Sequence, residues 1–95
     1  MVAYVIAGIE VTNREDYRTY AEQTVASAKK VGGRFLAKGG FQSVVEGPAP
    51  DRHVIIEFPS REVAESWYQS DEYQAILPIA LRSSNRTVVI VEGYE

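Results

Sequence analysis

Four short runs of β-branched and apolar residues, separated by stretches with helical spacing, set the tightest limit on how this chain folds. The runs are AYVIAGIEV at 3–11, GRFLAKGG at 33–40, HVIIEF at 53–58 and RTVVIVEGY at 86–94. Each has the composition and length of a strand. FQSVVEG at 41–47 prolongs the second run, and the glycine pair between them predicts a bulge or bend inside that strand. Between the first two runs, Thr12 can cap a helix and Glu15 can close a capping box. Tyr17, Tyr20, Ala21, Thr24, Ala28 and Val31 then repeat at helical spacing, and Gly32 is placed to end the helix in a left-handed conformation. GPAPDR at 47–52 is a turn by composition. After Pro59, Ser60 can cap a second helix that puts Val63, Ala64, Trp67 and Tyr68 on one side. Ser70 or Asp71 then starts another helical stretch, DEYQAILPIALRSS, with a kink or a short first segment expected at Pro78.

The order is β-α-β-β-α-β with an extra helical piece before the last strand. That is the ferredoxin-like α+β arrangement, with a four-stranded antiparallel sheet in one domain spanning 1–95. Helices cover only one face of such a sheet, so the other face should be polar. On the helix side the alternation places Val5, Ala7, Ile9, Phe35, Ala37, Val54, Ile56, Phe58, Val89 and Val91. The opposite side still carries Tyr4, Ile6, Leu36, Ile55, Val88 and Ile90, flanked by Glu10, Arg34, Lys38, Glu57 and Glu92. An apolar centre with a charged rim is the composition of an interface. A domain of 95 residues also gains from burial against a partner. A homodimer with sheet stacked on sheet is therefore expected.

Ten Lys and Arg against thirteen Asp and Glu give a net charge of −3 with the signs interspersed, which does not make a nucleic-acid-binding stripe. No cysteine is present, so disulfides and thiolate sites are excluded, and the chain suits a reducing cytoplasm. The first apolar run is too short to cross a membrane.

Several side chains are candidates for chemistry. His53 is the only histidine, which rules out a histidine metal cluster; it is either a general base or an interface residue. Glu57 lies on the same strand face and can act as a carboxylate catalyst or simply pair with Arg34. Trp67 faces the core, where its N–H needs a partner. Tyr68 and Tyr73, with Tyr17 and Tyr20 from the first helix, can line an aromatic pocket between helices and sheet. Arg82 would supply that pocket with a cation for an acidic ligand. The same residues equally make an ordinary aromatic core. No glycine loop opens a helix toward a phosphate and no calcium loop is present, so no cofactor or metal is expected.

The segments AYVIAGIEVT, GGRFLAKGG, RHVIIEFPSREVAESWYQSDEYQAI and VVIVEG, in this order, resemble the family known as domain of unknown function 1330. IEFPSREVAESWYQSDEYQ is the most specific part, and the resemblance covers nearly the whole chain. It implies a dimeric α+β barrel, in which two ferredoxin-like subunits stack their sheets. It implies no reaction, and relatives across that superfamily range from cofactor-independent monooxygenases and isomerases to stress-responsive proteins. Two readings therefore stand. One is a homodimer with a small-molecule pocket, in which His53, Glu57 and Tyr73 handle protons without a cofactor and Tyr17, Tyr20, Arg34, Trp67, Tyr68 and Arg82 bind the ligand. The other is a non-catalytic binding or stress-associated module whose aromatic residues are structural.

Overall fold

The computed structural model describes residues 1–94. In chain order the elements are β1 (Ala3–Val11), α1 (Arg14–Lys29), β2 (Arg34–Lys38), β3 (Arg52–Phe58), α2 (Arg61–Gln69), α3 (Asp71–Ser83) and β4 (Ser84–Glu92). The strands form one antiparallel sheet in the order β2-β3-β1-β4. Each helical crossover spans one intervening strand, which is the ferredoxin-like topology expected from the order of elements.

Local chemistry sets the boundaries. The first helix is capped by Asn13, not Thr12: the Asn13 carboxamide oxygen accepts from the Asp16 N–H at 3.1 Å. The Thr12 and Asn13 N–H groups both donate to the Ser83 carbonyl, at 2.8 and 3.2 Å, tying the end of β1 to the end of α3. Gly32 takes φ of 85°, as the terminating position requires, and the Gly33 N–H closes the turn on the Ala28 carbonyl at 2.8 Å. Ser60 caps α2 by accepting from the Val63 N–H. The helix start expected at Ser70 or Asp71 is found, and no break occurs at Pro78. Ser70 ends α2 and caps α3, while α3 runs unbroken through Pro78. That proline is exposed, so the carbonyl it leaves without a partner faces water.

Two strands depart from the expected phase. In β4 it is Val88 and Ile90 that pack against the core, while Val89 and Val91 are 46% and 45% exposed on the open face. Their pairing settles it, because Val5 opposes Ile90, Ala7 opposes Val88 and Ile9 opposes Arg86. A run apolar on both faces carries no phase of its own. In β2 the irregularity lies between Phe35 and Ala37, before the glycine pair, and the strand stops at Lys38. The extra residue moves Ala37 opposite Ile55 and Lys38 opposite Val54, so Lys38 turns to the helix side. Residues 41–47 do not continue the strand.

The helices all lie on one face, giving a two-layer slab of 32 × 31 × 17 Å. Its core is aromatic. Trp67 packs between Phe58 and Tyr73, with ring centroids 5.2 and 4.5 Å away. The indole N–H donates to Ser27 Oγ at 3.0 Å, which satisfies the only polar atom of a side chain that is 4% exposed.

Candidate functional site

The residues proposed from sequence divide between the two sides of the sheet. His53 and Glu57 point to the open face, opposite Gly8 and Tyr4 of β1. There the His53 Nδ1 lies 2.9 Å from Gln42 Oε1, and the Gln42 amide donates to the Pro50 carbonyl. Glu57 meets Arg34 at 3.3 Å, the pairing expected across β2 and β3. Tyr73 is buried under the helices, with the sheet between it and both of these residues. Strand alternation thus separates the three side chains named for proton transfer. Arg82 is also elsewhere: its Nε contacts Asp16 at 3.4 Å on an exposed helix–helix seam. Trp67 is a core residue, and Tyr68 is half-buried with its ring 5.1 Å from Tyr73.

What the fold assembles is a cleft of about 580 Å3 between α1 and the β2–β3 edge. One turn of α1 contributes Arg14, Tyr17 and Arg18, the bulged end of β2 contributes Lys38, and the start of β3 contributes Asp51 and Arg52. Four cations face one carboxylate. The ion pairs among the described residues are Lys30–Glu72, Arg34–Glu57, Arg61–Glu62, Arg61–Glu92 and Arg82–Asp16, and none involves a cleft cation. Arg52 is the best positioned of the four. Its guanidinium lies 5.9 Å from the centre of the Tyr17 ring, the geometry of a cation–π contact. On the other side it rests against Gly39, whose φ is 71° and where a Cβ would collide with the guanidinium. The Gly39 N–H is held by the His53 carbonyl at 2.8 Å.

Beneath Tyr17 lies a second, interior group. The Tyr20 and Tyr73 hydroxyls are 2.6 Å apart, and Arg86 Nη2 donates to the Tyr73 oxygen at 2.9 Å. The Arg86 guanidinium also sits 5.1 Å from the centre of the Tyr20 ring. A void of about 30 Å3 lies against these three side chains, and Tyr17, Thr24 and Val54 line both the void and the outer cleft. Burial pushes the Tyr73 phenol far above its ordinary range, and the neighbouring Tyr20 adds to this. Tyr17 is raised for the same two reasons. Burial acts against the charge on Arg86, but the two phenols beside it more than compensate, so the guanidinium stays charged. The Tyr17 and Tyr73 phenols therefore keep their protons at neutral pH and can donate hydrogen bonds.

The sequence reading found Tyr17, Tyr20 and Tyr73 but missed the cations around them. Arg14 and Arg18 share the helix stripe of Tyr17 and Ala21, a spacing that was legible. Lys38 needed the bulge and Arg52 the extension of β3 by one residue. Arg86 needed the register of β4 against β1.

Among solved structures, a protein of unknown function from Rhodopseudomonas palustris superposes with a TM-score of 0.79 at 14% identity, covering 99% of this chain and 83% of its own. A dimeric ferredoxin-like protein of unknown function from a Jannaschia species gives 0.79 at 11% identity, with 98% and 100% covered. SnoaB, a cofactor-independent oxygenase from Streptomyces nogalater, gives 0.64 at 6% identity, with 99% and 94% covered. At these identities the likeness is one of fold. No curated protein matches the sequence. A family model described as a domain of unknown function, DUF1330, matches residues 2–94, and the chain belongs to that family.

Proposed function

We propose that the cleft between α1 and the β2–β3 edge binds a small organic acid, and that the protein does so as a homodimer joined through the open faces of its sheets. The observation that carries the binding reading is the Arg52 guanidinium, fixed between Tyr17 and Gly39 in a cleft whose cations make no ion pair among the described residues. Like charges gathered on one concave surface repel, and an anionic ligand relieves that repulsion. A guanidinium presents paired donors to a carboxylate, and the Tyr17 ring offers a face to a planar ligand. Asp51 is the one carboxylate lining the cleft, and His53 and Glu57 are across the sheet. The site is thus built to hold an anion, and binding is the primary activity we assign. For the dimer, the support is the open face itself, where Tyr4, Ile6, Ile55, Val89 and Val91 form an apolar centre, together with the dimeric state of the Jannaschia protein.

Isothermal titration of the protein with benzoate and with benzamide, its uncharged analogue, tests the cleft. Saturable binding of benzoate alone is expected, weakened at least about tenfold in Arg52→Ala, the loss of one charge-assisted contact. Equal binding of both ligands, or an unchanged affinity in Arg52→Ala, would overturn the reading.

A further inference from the structure

The cluster beneath Tyr17 is rich in hydrogen-bond donors and short of acceptors. Two hydroxyl protons belong to Tyr20 and Tyr73, and the single bond between their oxygens uses one of them. Arg86 brings five N–H donors, and its one side-chain hydrogen bond among the described residues goes to Tyr73. No carboxylate lies within ion-pair distance of Arg86 among the described residues. Arg86 is half-buried, and a guanidinium drawn partly out of water against aromatic rings normally has an anionic partner. Core packing does not call for this arrangement, since a phenylalanine pair over an apolar strand residue would fill the space without a charge. The void beside the cluster, about 30 Å3, is close to the volume of one water molecule in the liquid, which is also the room a single ligand oxygen takes.

We propose that Tyr20, Tyr73 and Arg86 form an inner subsite for an ionised hydroxyl oxygen, so that the ligand is an aromatic or enolic acid with its carboxylate at Arg52 and an acidic hydroxyl at its far end. This deepens the organic-acid reading and rests on it. The route inward is past Tyr17, which lines both spaces and whose ring centroid is 5.4 Å from that of Tyr20. On binding, the ligand's O–H bond breaks and its proton passes to water at the mouth of the cleft. The oxygen keeps the electron pair and accepts hydrogen bonds from the spare tyrosine hydroxyl and from Arg86. Donors preorganised in a water-poor space stabilise such an oxyanion far better than solvent-exposed ones do. The titratable groups facing the void are Tyr17, Tyr20, Tyr73 and Arg86; burial raises the Tyr17 and Tyr73 phenols, and Arg86 keeps its charge.

The test uses para-hydroxybenzoate carrying one ortho nitro group, whose phenolate is yellow, with the corresponding nitrobenzoate lacking the hydroxyl as comparator. At a pH below the free probe's own pKa, binding should turn it yellow, with the phenol's pKa lowered by about one unit or more, a tenfold gain in phenolate. The hydroxyl-free comparator should bind more weakly. Arg86→Gln and Tyr73→Phe should abolish the colour change while leaving comparator binding intact. Two outcomes overturn the subsite and leave the cleft standing: equal binding of the two probes without a colour change, or a colour change that survives in both folded variants. Failure of both probes to bind would remove the cleft reading itself. Should the variants not fold, the comparison of the two probes on the unaltered protein still decides.

Discussion

Tyr73 sits at the meeting point of the aromatic core and the Arg86 cluster. It stacks on Trp67 and Tyr68, bonds to Tyr20 and receives a hydrogen bond from Arg86. Its phenol and that of Tyr17 bind their protons more tightly in the fold than in the unfolded chain, where the ordinary value is 10. Their contribution to stability is therefore complete below pH 10 and is lost as pH climbs past it, because the unfolded chain can ionise where the fold cannot. The melting temperature should be flat from neutral pH to about 9 and fall above about 10. In Tyr73→Phe the alkaline fall should be shallower, although the variant starts lower by about 1 kcal/mol for the lost hydrogen bonds. Thermal denaturation followed by circular dichroism across that range checks this, and an identical alkaline slope in the variant would contradict it. Of these residue-level facts, the aromatic character of the site was legible at helical spacing. The role of Arg86 was not, because the VVIV run that follows it is apolar on both faces and gives no sign of the face Arg86 occupies.

Among the helices, α3 departs most from helix-forming composition. It carries Pro78 in its interior, with no break in the helix, and relies on Ser70 for its start. An interior proline removes one backbone bond and crowds the preceding turn, at a cost of up to about 3 kcal/mol relative to alanine. Since Pro78 is exposed, Pro78→Ala should raise stability by about 1–3 kcal/mol with no effect on ligand binding. Urea unfolding measures this directly. No gain would mean that the helix bends at Pro78 in a way its packing against α1 needs. The capping serines at 60 and 70 were placed correctly from sequence because a cap is a local event within four residues. The N-cap of α1 lies one residue further on than expected, at Asn13, whose N–H is also held by the Ser83 carbonyl.

As a whole the molecule is a slab 17 Å thick with one face of its sheet uncovered. Val89 and Val91, expected toward the helices, take the places on that open face that Val88 and Ile90 were expected to fill. A few hundred Å2 of such surface hidden per chain gives several kcal/mol at about 25 cal/mol per Å2, enough to offset association costs when both faces match. Sedimentation at micromolar concentration should give a mass of two chains, and Val89→Arg should shift it to one while the helical signal persists. A single-chain mass for the unaltered protein would contradict the dimer. Among the described residues no helix is long and apolar enough to cross a membrane, so the apolar face is not part of a helical span.

The sequence by itself determined the kind and order of the elements, both serine caps, the ferredoxin-like topology and the aromatic helix stripe. All of these follow from spacing within one element or from the succession of elements. Tertiary structure alone decided which face of β4 is buried, that Lys38 turns toward the helices, and that Arg52 and Arg86 meet tyrosines from distant helices. The reason is physical. Alternation fixes a strand's period but not its phase, and a single bulged residue inverts every face after it, so only pairing with a neighbouring strand assigns each side chain to a side.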